Sequence, residues 1–116
     1  MANTPTPRDN EVVISRDIEF EGYYDTYAVT KDANPNQVDN LHEINWPNTH
    51  NNESTDISSF QLGTAAKITV FSEYDCNGTS ETFLKSERNL KKKKVTINGK
   101  ETTWDDNIKS FKLELI

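Results

Sequence analysis

The 116-residue chain carries two imperfect copies of one pattern. Ser54-Thr55-Asp56-Ile57-Ser58-Ser59-Phe60-Gln61-Leu62 returns as Asp105-Asp106-Asn107-Ile108-Lys109-Ser110-Phe111-Lys112-Leu113, with Ser59 and Ser110 lying 51 positions apart. Phe20-Glu21-Gly22 returns as Cys76-Asn77-Gly78, at 56 positions. A period of this size means two copies of one supersecondary unit, each too small to bury its apolar face alone. The copies must pack on each other, and a chain this short has room for one domain around one core.

Alternation identifies the unit. Ile68 and Val70 flank Thr69, and Phe111, Leu113 and Leu115 alternate with Lys112 and Glu114. Tyr23, Asp25, Tyr27 and Val29 share one face of an earlier run. One buried and one wet face is the antiparallel habit. No segment offers an apolar stripe of helical period and length, so the expected class is all-β. Val95-Thr96-Ile97-Asn98-Gly99-Lys100-Glu101-Thr102 reads as a hairpin, because Asn-Gly supplies the positive φ values of a type I′ turn. Residues 1–10 read as a loose polar tail. Residues 30–55, rich in Asn and bearing Pro35 and Pro47, read as a long, partly ordered connection with a short helical turn near Val38–Glu43, pinned by Leu41 and Trp46.

Only 33% of the residues are hydrophobic, so the core is thin or part of the chain lies outside it. A net charge of −6 argues against nucleic acid or an anionic membrane as partner, and suits cation binding only where carboxylates converge. No apolar run approaches the roughly 20 residues needed to span a bilayer. The first residues hold no apolar signal core, which points to a cytoplasmic protein. The single cysteine, Cys76, excludes an internal disulfide.

Phe71 stands seven places before Gly78, and Phe83, Asn89-Leu90 and Trp104-Asp105-Asp106-Asn107-Ile108-Lys109-Ser110 follow. This run resembles a βγ-crystallin Greek key, with an aromatic at the turn, a glycine in a folded hairpin and a serine before the last strand. The first half is similar through Phe20-Glu21-Gly22, although Ser15 stands where the leading aromatic belongs. The resemblance implies a β-sandwich of two Greek keys, one spanning about residues 11–63 with the Asn-rich stretch as a long insertion, the other about residues 66–116.

Microbial and slime-mould members of that family bind calcium through a six-residue stretch: two Asn or Asp, two variable residues, Ser or Thr, then Ser. The third position gives a carbonyl oxygen and the fifth a hydroxyl, in a clamp that crosses between the two stretches; both are hard oxygen ligands suited to calcium. Here both stretches are altered. The second keeps Asp105 and Asp106 but has Lys109 at its fifth position, where an ammonium adds charge and no oxygen. The first keeps Ser58 and Ser59 but begins Ser54-Thr55. The resemblance therefore implies one surviving site, joining the Ser58 hydroxyl to the Asn107 carbonyl, and one lost site, joining Lys109 to the Asp56 carbonyl. Arg16, Asp17, Ser72, Glu73 and Asp75 are the loop candidates to complete a shell.

Ser59 and Ser110 are expected to tie down the folded hairpins rather than bind an ion. His42 and His50 lack metal spacing, and Cys76 reads as a small core residue. Lys91–Lys94 read as a solvated edge. Nothing resembles catalytic machinery, so a non-enzyme is expected: a calcium-binding crystallin-type protein, or an adhesion and recognition module that self-associates or takes a surface glycan or protein partner, with export lacking a signal peptide as in amoebal members of the family.

Overall fold

The structure is a computed structural model in which residues 4–116 are described. Among the described residues nine strands form in chain order: β1 (Glu11–Ser15), β2 (Tyr24–Ala28), β3 (Asn36–Val38), β4 (Ser59–Leu62), β5 (Ala66–Phe71), β6 (Ser80–Phe83), β7 (Lys94–Ile97), β8 (Lys100–Thr103) and β9 (Ser110–Leu115). Short 3₁₀ turns link several of them, and no α-helix occurs among the described residues. All strand pairs are antiparallel, in sheets ordered β2-β1-β4, β3-β9-β5-β6 and the separate hairpin β7-β8.

The two halves exchange strands. β3 belongs to the first half but pairs with β9 of the second, Asn36 opposite Leu113 and Val38 opposite Phe111. In return Glu87 of the second half bridges Phe60 on β4 of the first. The aromatic packing repeats this exchange: Tyr27 meets Phe111 edge-on at 5.1 Å between ring centres, and Phe83 meets Phe60 at 5.2 Å. Each apolar face is thereby covered by the other copy. One cluster results, running from Val12, Ile14 and Phe60 in the first half to Ile68, Phe111 and Leu113 in the second. The expected alternation is visible in burial, since Ala66, Ile68 and Val70 are buried while Lys67, Thr69 and Phe71 are half-buried.

Between β1 and β2, and again between β5 and β6, the chain folds back on itself. Glu19 and Phe20 both have φ of 60°, as do Asp75 and Cys76 at 58° and 56°. Gly22 and Gly78 follow at +80° and +79°. A Cβ at Gly78 would stand 2.5 Å from Ser72 Oγ, and one at Gly22 would stand 2.5 Å from Asp17 Oδ2. Glycine is therefore required by both backbone conformation and space.

One serine locks each hairpin. Ser59 Oγ donates to the Asp17 carbonyl at 2.6 Å and accepts from the Phe20 N–H at 3.1 Å. Ser110 Oγ donates to the Glu73 carbonyl at 2.6 Å and accepts from the Cys76 N–H at 3.0 Å. Both serines are fully buried. The β7-β8 hairpin turns through Asn98 and Gly99 with φ of 53° and 78°, the pattern of a type I′ turn.

Three expectations change in detail. The Asn-rich segment is more than a decoration, because it carries β3, a 3₁₀ turn at Leu41–Glu43, a second turn at Glu53–Thr55 and an Asn45–Asn52 bridge. Leu41 and Trp46 are fully buried and do pin it. Of the polar start at residues 1–10, the first three lie outside the described residues. Asp9 O accepts from the Ala65 N–H at 2.9 Å, and the Asn10 side chain donates to Val29 O at 2.8 Å, so the stretch is hydrogen-bonded to the body before β1 begins. Cys76 is half-buried rather than a core residue, with its thiol against the Phe111 carbonyl at 3.8 Å; burial pushes its thiol pKa upward.

Removing either serine hydroxyl strands a carbonyl and an N–H in the hairpin. Ser59→Ala and Ser110→Ala are each expected to lower the unfolding free energy by about 2–3 kcal/mol in urea denaturation. Ser80→Ala, at an exposed position, should stay within about 0.5 kcal/mol of wild type. Equal effects at all three positions would contradict the role given to the serines.

Candidate functional site at the junction of the two keys

The two matching stretches meet. The Asp106 N–H donates to the Ile57 carbonyl at 3.1 Å, joining the second stretch to the first. Around this link the backbone is arranged with near two-fold symmetry. The Ser58 N–H bonds the Ser15 carbonyl and the Lys109 N–H bonds the Phe71 carbonyl, both at 3.0 Å. The Ser58 carbonyl accepts from Leu90 of the second half, and the Lys109 carbonyl accepts from Leu41 of the first, both at 2.9 Å. The turns holding Leu41 and Leu90 are capped alike, by the side chains of Asn40 and Asn89. Each fifth position is thus fastened to its own key through its N–H and to the other key through its carbonyl.

This geometry decides which loop serves which position. Lys109 Nζ lies 3.7 Å from Glu73 Oε1 and 5.3 Å from the centre of the Tyr74 ring. The loop after β5 therefore faces the fifth position of the second stretch. By the same symmetry the loop after β1, with Asp17, accompanies Ser58. Asp17 is half-exposed and pairs with Arg16 at 3.2 Å. Asp75 does not turn toward either stretch: it is exposed on the folded hairpin, and its N–H bonds the Asp39 carbonyl at 2.9 Å.

Carboxylates crowd the junction. Asp106 is exposed as a residue, yet partial desolvation of its carboxyl, followed by the charges of Asp105 and Asp56, raises its pKa to about 6. Asp105 Oδ1 is buried and has no hydrogen-bond partner. Asn107 turns its side chain away, donating to the Thr103 carbonyl at 2.7 Å, which leaves its backbone carbonyl as the oxygen it can offer. Ser58 is buried, at 6% exposure. Among the described residues no three His, Cys, Asp or Glu side chains group closely enough to hold a metal by themselves. A cation here would have to be held by a mixed set: the Ser58 hydroxyl, the Asn107 carbonyl, and carboxylate from Asp17 or Asp105. An orphaned buried oxygen among mutually repelling carboxylates fits a hard cation. Beside Lys109 the ammonium already pairs with Glu73 at 3.7 Å, which disfavours a second cation there.

No protein-family model and no curated protein matches the sequence. Solved structures do match the fold. A βγ-crystallin domain from Flavobacterium johnsoniae aligns with a TM-score of 0.64 at 15% identity, covering 90% of this chain and 93% of that one. The βγ-crystallin domain of Abundant Perithecial Protein from Neurospora crassa, in its Ca²⁺-bound form, aligns with a TM-score of 0.60 at 19% identity, over 97% and 96% of the two chains. A structure described in connection with the evolution of the eye-lens βγ-crystallin fold aligns at 0.70 with 16% identity, over 97% and 93%. The chain has the βγ-crystallin domain fold: two Greek keys packed as one sandwich.

The sequence reading passed over Glu53. At the 51-residue offset it stands opposite Trp104, and the backbone treats the two alike: the Glu53 N–H bonds the Ile44 carbonyl at 2.8 Å, and the Trp104 N–H bonds the Lys93 carbonyl at 3.0 Å. A carboxyl thus occupies a core position, fully buried. Its Oε1 accepts from the Tyr27 hydroxyl at 2.7 Å, while Oε2 makes no well-formed hydrogen bond. Burial, followed by the neighbouring Asp25 carboxyl, raises the Glu53 pKa from 4.5 to about 9. The same burial and the Glu53 carboxyl push the Tyr27 hydroxyl pKa upward. Glu53 is therefore a neutral acid at pH 7. Because its folded pKa is raised, its stability contribution is fully present below about pH 4.5 and falls as pH climbs toward 9. Glu53→Gln keeps the shape and the acceptor and removes the titration. Urea denaturation should find the variant more stable than wild type at pH 8, by up to about 3 kcal/mol, with the difference vanishing at pH 4. A difference independent of pH would contradict this assignment.

Proposed function

We propose that this chain is a non-enzymatic domain of βγ-crystallin type that binds one calcium ion weakly, at the Ser58–Asn107 position, and is stabilised by it. The observation carrying this reading is the buried, unpartnered Asp105 oxygen among repelling carboxylates, where the two stretches are joined by the Asp106–Ile57 hydrogen bond. The Ca²⁺-bound state of the Neurospora domain with the same fold supports it. The residues proposed to hold the ion are the Ser58 hydroxyl and the Asn107 carbonyl, completed by carboxylate from Asp17 and Asp105. Asp106 supplies attractive charge nearby. Asp56 and Glu73 belong to the other position, where the Lys109 ammonium takes the place of an ion, and Asp75 belongs to neither.

Calcium supplies a dication whose binding only the folded chain can organise, because the oxygens come from both keys. Stability then grows with the logarithm of calcium concentration over the dissociation constant. With one site and few formal charges in it, the affinity is expected on the order of 10⁻⁵–10⁻³ M. The non-enzymatic reading is supported by the raised Cys76 thiol pKa and by the exposure of both histidines on the Asn-rich segment.

Thermal melts in chelator and in calcium test the proposal. At about a hundredfold excess over the dissociation constant the midpoint should rise by roughly 10 °C. Ser58→Arg should remove the rise without lowering the chelator midpoint by more than a few degrees. Coincident midpoints for wild type with and without calcium would overturn the proposal.

A further inference from the structure

On the first sheet the start of β2 and the Pro47–Asn48 loop border a groove of about 370 Å³. Its walls include Tyr23 and Tyr24, each 41% exposed, and Asp25 lies within it. Two large half-exposed rings beside a carboxylate are an unusual investment for a solvated strand. Asp25 is half-buried on β2, as Tyr27 is, and lines the groove. Its Oδ1 accepts from the Thr26 N–H at 2.8 Å. Among the described residues Asp25 forms no ion pair.

Behind Asp25 stands Glu53, fully buried, with an oxygen that has no hydrogen-bond partner. The Asp25 carboxyl lies near enough to disfavour the charge of Glu53, and Tyr27 satisfies only one of the Glu53 oxygens. With Glu53 neutral, this leaves the single Asp25 carboxylate without an ion-pair partner among the described residues, beside a groove walled by tyrosine rings. Ring faces attract cations through their quadrupole. One of these rings already does so, since the Arg16 guanidinium lies 5.1 Å from the centre of Tyr23 while its charge is compensated by Asp17.

We propose that this groove is a binding site for an organic ammonium cation, held between the rings of Tyr23 and Tyr24 and neutralised by Asp25. The charge of −6 on the chain favours the approach of such a ligand. A hard metal ion is not the expected occupant, because rings offer it no oxygen to replace its hydration shell. A neutral apolar ligand would leave the Asp25 charge uncompensated in the groove.

The test uses the whole chain with choline as probe and its neutral isostere, 3,3-dimethyl-1-butanol, as control, followed through backbone amide NMR shifts. Choline should produce saturable shifts at residues 22–26 and 47–48 with a dissociation constant on the order of 10⁻³ M. The isostere should bind at least about tenfold more weakly. Asp25→Asn, which keeps the acceptor to Thr26, and Tyr24→Ala should each weaken choline by about fivefold or more while the shifts of β5 and β9 stay in place. Shifts that never saturate would overturn the proposal, as would equal binding of the isostere. So would calcium competing for the same amides, which would make the groove a metal site.

Discussion

The whole arrangement depends on a hydroxyl in each key that is bonded twice. Ser59 and Ser110 each give one hydrogen bond and take one, closing a hairpin whose backbone lies in the left-handed region at two successive non-glycine positions. Such a conformation persists only where its surroundings over-determine it. Here they do: the serine is buried, the following glycine admits no Cβ, and the loop before the hairpin is drawn down on the start of the last strand. That loop carries Asp17 in one key and Glu73 in the other. The same bonds that fold the hairpins therefore bring an acid-bearing loop to each stretch, and in the second key Glu73 meets Lys109.

Strand exchange supplies the second constraint. β3 completes the sheet of the second key, Glu87 touches the sheet of the first, and the fifth-position carbonyls accept from the opposite key at 2.9 Å. Neither key can open without breaking bonds in the other, and any ion at the junction bridges both. The near symmetry also exposes where the copies have diverged. Lys109 pairs with Glu73 at 3.7 Å, where the other copy has the Ser58 hydroxyl. Glu53, opposite Trp104, places a neutral acid where its counterpart has an indole hydrogen-bonded to Glu81 at 2.9 Å. One copy thus retains oxygens for a cation but carries a buried titratable group, and the other has a sealed core and a fixed ammonium.

Much of this was legible in the sequence because it is written in residue types with few alternatives. Gly22, Gly78 and Asn98-Gly99 mark positive φ, the repeated Ser-Phe marks the start of each last strand, and alternation at Ile68–Val70 and Phe111–Leu115 marks the faces. The order of the keys and the role of the two serines followed. What escaped depends on which segments meet in space. Within the Asn-rich stretch, Asn36-Gln37-Val38 has weak strand character and becomes a strand by pairing with β9. The difference in spacing has a local origin, since 18 positions separate Gly22 from Asn40 but only 11 separate Gly78 from Asn89. The partnership of Lys109 with Glu73 is a side-chain contact between segments far apart in sequence. Glu53 was readable by strict alignment of the copies, but a glutamate in a polar stretch gives no sign of burial until its place in the core is known.

Counting ions by calorimetric titration with calcium tests most directly whether the junction holds one open and one self-occupied cation position. Wild type should bind one ion. Lys109→Ser, which exchanges an ammonium for a hydroxyl beside Glu73, should bind two. An unchanged count in the variant would show that Lys109 never occupied a cation position, and no binding by wild type would show that the Ser58–Asn107 position is not a site.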